Sequence, residues 1–160
     1  MKRLLIMRHA EASHAADDHE RPLTPGGEQM AAAVGRRMAA AGVGVDAIIS
    51  STAVRAMQTA VCVRDALVPG HAAPVEFHTV TRLYNAPVAA WREVVAGLSE
   101  AWDDVLMVGH NPAVASIAAA SGGEPVAVPP ATVIDLRLPS WTSLLAEGTR
   151  LAAVWRPGEE

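Results

Sequence analysis

The chain is 160 residues long, about the size of one compact domain, and 51% of it is hydrophobic, enough for a sizeable core. Its net charge of −4 argues against a nucleic-acid partner, which calls for a basic stripe. No apolar run reaches the roughly 18–20 residues of a membrane span, and a single cysteine, Cys62, excludes an internal disulfide.

The opening MKRLLIMRHAEA has two basic residues and a short apolar run. That run meets Arg8 too early for a secretory signal, so a cytoplasmic protein is expected. Leu4 to Met7 reads as a short buried strand, and His14 to Pro22 as a polar surface loop. Thr24-Pro25 is a helix start, with the threonine as cap and the proline at the first helical position. Met30, Val34 and Met38 then recur at four-residue spacing, and Gly42 marks the stop. Asp46 to Ser50 is a second strand; Val54, Met57 and Val61 mark a second helix ending near Pro69-Gly70. Val75 to His78 is a third strand, and Val88, Trp91, Val95 and Leu98 mark a third helix. Val105 to Val108 is a buried strand, followed by a helix over Pro112 to Ala120. Thr132 to Leu138 alternates, and Leu151 to Trp155 resembles a closing strand. Strands alternating with helices predict an α/β sandwich around a mostly parallel sheet. The apolar residues are mainly Ala and Val, which suit close packing of helices on a sheet. No linker divides the chain.

Three strand ends carry unusual chemistry. The first runs into Arg8-His9, the second into Ser50-Ser51-Thr52 with Arg55 just beyond, and the fourth into Gly109-His110-Asn111-Pro112. In a parallel sheet these junctions share the carboxyl edge, where open α/β folds hold their ligands. Arg8, His9, Arg55 and His110 are thereby candidates for one pocket, with helix N-termini favouring an anion. Arginine's planar fork matches phosphate oxygens, and a neutral histidine can carry a phosphoryl group covalently. Positioned cations can do the work that a metal ion does elsewhere. Rival phosphate chemistries lack their signatures: no GxxxxGK[ST], GxGxxG, Cys-x5-Arg, DxDx[TV] or GxSxG is present.

In order along the chain, MRHAEA, RPLTPGGE, STAVRAMQTA and VGHNP resemble the histidine phosphatase superfamily, which includes the phosphoglycerate mutases. The likeness is closer to its small SixA-type phosphohistidine phosphatase branch and runs from Leu4 to Pro112. It implies a three-layer α/β/α sandwich of the phosphoglycerate mutase kind, with residues 1–160 as one histidine phosphatase domain. By this resemblance His9 is the nucleophile, Arg8 and Arg55 bind phosphoryl oxygens, and His110 stabilises the transferring group from the opposite side. Asn111 orients His110 or binds the substrate, and Arg21 adds a basic group at the pocket mouth. No metal and no cofactor are implied. The family's RHG appears here as Arg8-His9-Ala10, and Thr52 stands where SPxxRAxQTA has proline.

Mutase-like members place a glutamate in a Leu-x-Glu pattern after the central strand, as general acid. The matching stretch here is Leu83-Tyr84-Asn85, and Asn cannot protonate a departing alkoxide. Imidazole, with a reference pKa near ~6.5, can leave neutral with a proton on its distal nitrogen. The expected function is therefore a metal-independent phosphatase acting on phosphohistidine of a protein, such as a phosphotransfer domain. The short chain leaves little room for insertions over the site, which agrees with a protein substrate. Two alternatives stand beside this: a phosphatase for small phosphomonoesters, or a non-catalytic phosphate-binding adaptor. In the first, water or a loop aspartate, Asp17 or Asp18, would supply the proton. His14 and His19 among Asp17, Asp18 and Glu20 match no metal-ligand spacing and read as a solvated loop. His71 and His78 read as structural, Cys62 as a buried inert thiol, and the four tryptophans as packing residues.

Overall fold

The computed structural model describes residues 1–67 and 74–159. The expected helix end at Pro69-Gly70, and His71, lie outside the described residues. Six strands form one sheet: β1 (Lys2–Arg8), β2 (Ala47–Ser51), β3 (Glu76–Val80), β4 (Asp104–Gly109), β5 (Val133–Leu138) and β6 (Arg150–Trp155), in the order β3-β2-β4-β1-β5-β6. The first four in that order run parallel. β5 is antiparallel to β1, and β6 to β5. Four helices follow the parallel strands: α1 (Pro25–Ala40), α2 (Val54–Leu67), α3 (Val88–Ala96) and α4 (Ala113–Gly122). The fold is the three-layer α/β/α sandwich expected.

Alternation along β1 shows how the layers are built. Leu4 and Ile6 join the core beneath α3 and α4, with Trp91, Val114 and Ile117. Leu5 and Met7 point the other way, into the core of α1 and α2 with Val34, Met38, Ala56 and Val63. A central parallel strand is covered on both faces, so it reads as an unbroken apolar run. Small residues let the helices close in. Gly27, in the first turn of α1, lies against the backbone of Glu11, where a Cβ would collide with its carbonyl oxygen.

The predicted elements recur with shifted ends. Thr24 caps α1 by accepting the Gly27 N–H at 2.9 Å, with Pro25 at the first position. Gly42 takes a positive φ of 77° just past its end. The strand at 133–138, which alternates in sequence, is buried almost throughout, with Ile134, Leu136 and Leu138 in one core and Val133 in the other. Its polar Asp135 is only 2% exposed and survives there by pairing with Arg3 at 2.8 Å and with Arg137. Trp91 and Trp141 are fully buried, and Trp102 packs against the core edge. Cys62 is half-buried rather than enclosed, and desolvation raises its thiol pKa, so it stays protonated and inert. No helix among the described residues is long and apolar enough to cross a membrane.

Register sets the working edge. Arg8 lies beside Gly109, Ser50 beside Val108 and Ser51 beside Val80. The carboxyl ends of β1, β2, β3 and β4 are therefore level, within a few strand spacings of about 4.8 Å each.

Candidate active site

β1 delivers Arg8 and His9 to the edge, and the backbone there is tied on both sides. The His9 N–H donates to Gly109 O at 3.0 Å, and the Arg8 N–H to Thr132 O at 3.0 Å. Ala10 is fully buried, and its N–H donates to Thr59 Oγ1 at 3.0 Å. It does not take a positive φ, so alanine in place of the family's glycine fits without strain.

The His9 ring donates from Nδ1 to the Ala10 carbonyl at 2.7 Å. A carbonyl only accepts, so the hydrogen is on Nδ1 and Nε2 keeps its lone pair. Burial is the largest influence on this ring and drives its pKa down to about 4. The Ala10 carbonyl opposes that fall, while the charges of Arg55, Arg8 and Arg21 add to it. Neutral His9 is therefore a ready nucleophile near pH 7.

His110 stands next to it, with ring centroids 5.3 Å apart and the planes at 54°. The preceding Gly109 packs on the Trp91 indole so closely that any side chain there would overlap it. His110 Nε2 lies 2.8 Å from Ser51 Oγ, while Nδ1 is buried with no partner in the protein. Its pKa falls to about 3, through burial first and then the charges of His9 and Arg55.

Arg55 projects from the first turn of α2 and is 4% exposed. Its Nη1 donates to the Asp18 carbonyl at 2.7 Å and its Nη2 to the Asp18 carboxylate at 3.2 Å, leaving Nε unpaired. Arg8 Nη1 donates to Val128 O at 3.0 Å, and its Nε is likewise unpaired. The geometry brings Arg8, His9, Arg55 and His110 together, with unpaired N–H groups on both arginines. Arg21 joins at the rim, donating from Nε to Ser13 O at 3.0 Å and from Nη1 to Asp18 at 3.2 Å.

Asn111 sits at the edge with both ends of its amide engaged. Nδ2 donates to Val128 O at 3.1 Å, and Oδ1 accepts the Ala115 N–H at 3.1 Å. It ties the loop carrying Val128 to the first turn of α4. Because Arg8 holds the same carbonyl, this clamp also fixes that guanidinium.

Several site residues escape the sequence reading. Tyr84, next to the Asn85 that stands at the family's acid position, turns its ring into the site, edge-on to His110 at 5.7 Å and under Arg55 at 5.9 Å. Asn85 itself is exposed in the left-handed region, at φ 50°. The Tyr84 hydroxyl donates to Asp18 at 2.5 Å. That bond first, then Arg21, holds the Asp18 carboxyl at about 2, so it is ionised at neutral pH and has no proton to give. Asp17 caps the short 3-10 turn at Asp18–Glu20 by accepting the His19 N–H. His19 is no solvated loop residue. Its Nε2 lies 3.0 Å from Thr52 Oγ1, and its ring meets Tyr84 edge-on at 4.8 Å. The threonine in place of the family's proline thus anchors the loop. Among the described residues no group of three His, Cys, Asp or Glu side chains is arranged to hold a metal ion.

A model of the histidine phosphatase superfamily, branch 1, matches residues 4–91, which include Arg8, His9, Arg21 and Arg55. An uncharacterised protein of Mycobacterium tuberculosis (strain H37Rv) is 34% identical over 114 residues, 70% of this chain and 67% of its own length. A candidate phosphohistidine phosphatase of the SixA type from Nakamurella multipartitia superposes with a TM-score of 0.79 at 29% identity, over 99% of this chain and 97% of that one. Its counterpart from Agrobacterium tumefaciens gives 0.81 at 26% identity, over 98% of both chains.

Proposed function

Because the chain belongs to the histidine phosphatase superfamily, in its SixA-type branch, we propose that it removes the phosphoryl group from phosphohistidine on a protein, without a metal ion. The observation that carries this reading is the state of the two rings: His9 presents a bare Nε2 beside a neutral, buried His110, within the field of Arg8 and Arg55.

His9 Nε2 attacks phosphorus as the P–N bond to the substrate imidazole breaks, and the bonding pair returns to that ring. The departing imidazole is neutral when its other nitrogen already carries a proton. The phosphorylated His9 is an imidazolium whose Nδ1–H stays on the Ala10 carbonyl. Arg8 and Arg55 hold the peripheral oxygens, whose charge is what a loose transition state must stabilise. Water then attacks the same phosphorus, phosphate leaves, and His9 is regenerated. Arg21 meets the phosphoryl group at the rim, and Asn111 acts by holding the Arg8 clamp. The ionised Asp18 supports a phosphoramidate over an alkyl phosphate, since it cannot protonate an alkoxide.

His9→Ala is the direct test. The variant should show no turnover of a phosphohistidine protein, and acid-labile, base-stable phosphate should be trapped on His9 in the wild type. Wild-type activity should survive EDTA and should favour phosphohistidine protein over sugar phosphates in parallel assays. Full activity in the variant would end the assignment, and loss of activity with EDTA would point to a metal.

A further inference from the structure

We propose that Ser51 is a positioning residue that locks His110 as a neutral Nδ1–H donor to the transferring phosphoryl group. This rests on the phosphoryl-transfer reading of the site. Ser51 ends β2 and is fully buried. Its Oγ accepts the Ala53 N–H at 3.2 Å and lies 2.8 Å from His110 Nε2. A hydroxyl has one hydrogen to give. Among the described residues, Nε2 is the one acceptor within its reach. The hydroxyl therefore donates to Nε2, which must be bare, and the imidazole hydrogen is on Nδ1. The opposite arrangement, Nε2–H donating to Oγ, would leave two buried groups unpaired, the hydroxyl hydrogen and a bare Nδ1, where this one leaves only the Nδ1–H.

That assignment explains the unpaired atom. His110 is only 6% exposed, yet Nδ1 meets no protein acceptor. An N–H left without a partner in so closed a place is matched by a phosphoryl oxygen between this ring and His9, 5.3 Å away. A second proton on the ring is opposed by burial and by the neighbouring charge of Arg55. The two histidines are then complementary. On His9 a carbonyl fixes Nδ1–H and frees a lone pair to attack; on His110 a hydroxyl fixes Nε2 and frees an N–H to donate. The His110 hydrogen remains on Nδ1 throughout, so the step needs no proton from it.

The test starts from the unaltered protein, labelled with 15N-histidine at neutral pH. His110 should show a protonated Nδ1 and a bare, hydrogen-bonded Nε2. In Ser51→Ala, with folding checked by circular dichroism, the Nε2 signal should shift toward the protonated form. Turnover number on a phosphohistidine protein should drop about tenfold or more, approaching the ~100-fold loss seen on deleting an oxyanion donor, with a smaller change in KM. A wild-type His110 protonated on Nε2, or on both nitrogens, overturns the proposal whatever the substrate is. So does an unchanged turnover number in a folded S51A whose tautomer has shifted. The wider functional reading is judged separately, by His9→Ala.

Discussion

Acidifying the free protein should leave His9 uncharged far below the ordinary histidine range. An imidazole in water titrates near ~6.5; in this site burial and three arginines bring the value to about 4. At about pH 5.5, a ring with a pKa of about 4 is roughly 97% neutral, whereas an unperturbed one is roughly 9% neutral. The neutral ring is thus about ten times more available at that pH than solution chemistry allows. The assay is an NMR titration of the His9 ring in the ligand-free protein from about pH 7.5 to 4. Initial rates are recorded beside it, with spontaneous loss of the acid-labile phosphoramidate subtracted in each buffer. The Cε1–H signal should barely move above about pH 5 and should turn near 4. Arg21→Ala should raise the midpoint, because it removes one of the cations that oppose the second proton. A midpoint near ~6.5 would refute the reasoning, since ring and arginines would then be solvated apart from one another.

The same shifts set how stability depends on pH. Both rings have folded values below the unfolded ~6.5, at about 4 for His9 and about 3 for His110, so the unfolded chain binds more protons as pH falls through that window. Stability is complete above ~6.5 and declines toward pH 4, by up to ~1.4 kcal/mol per pH unit for each ring. Urea unfolding should show this decline, and a His9→Ala/His110→Ala double variant should flatten it; an unchanged slope would place its origin elsewhere. Asp18→Asn removes a negative charge that shares Arg55 and Arg21, while the Asp18 carbonyl still holds Arg55 at 2.7 Å. Inorganic phosphate should then inhibit about three- to tenfold more strongly. A higher inhibition constant would mean that the carboxylate chiefly positions the arginines.

The parts of the site that sequence made legible are those where chemistry interrupts a strong pattern. Arg8-His9 and Gly109-His110 each end a run of apolar residues, and parallel pairing then fixes them at one edge. Arg55 follows because the first turn of the next helix starts at the same edge. Asp18, His19 and Tyr84 sit instead in segments with no periodicity. Their partners are fixed only by tertiary contact, across 66 residues for the Tyr84–Asp18 bond and 33 for His19–Thr52. Asn85, where the resemblance places the acid, lies one residue beyond the side chain that reaches the pocket. Ser51 stands out in sequence only as part of a polar strand end; its role depends on a contact with a ring nitrogen 59 residues away. The alternation over 132–138 is of the same kind: Asp135 and Arg137 look solvent-facing until Arg3, from a neighbouring strand, neutralises the buried carboxylate.

On the function proposed above, substrate preference turns on protons rather than on pocket shape. Asp18 is ionised, and the Tyr84 phenol, its pKa raised, commits its hydrogen to that carboxylate. His9 and His110 are both neutral near pH 7. Among the described residues, none of these four side chains therefore has an acidic proton to spare for the departing side. An alkoxide, whose conjugate acid is close to water in strength (pKa about 15.7 for bulk water), gains nothing from such a site. A substrate imidazole brings its own proton on the nitrogen distal to phosphorus, where it needs no donor inside the pocket. In the proposed mechanism the arginines stabilise the transferring group equally in either case, so there they set the rate of transfer but not the choice between leaving groups. In that mechanism the choice comes from pairing an anchored carboxylate with two uncharged rings, an arrangement in which a phosphoramidate would lose little and an alkyl phosphate would lose its acid.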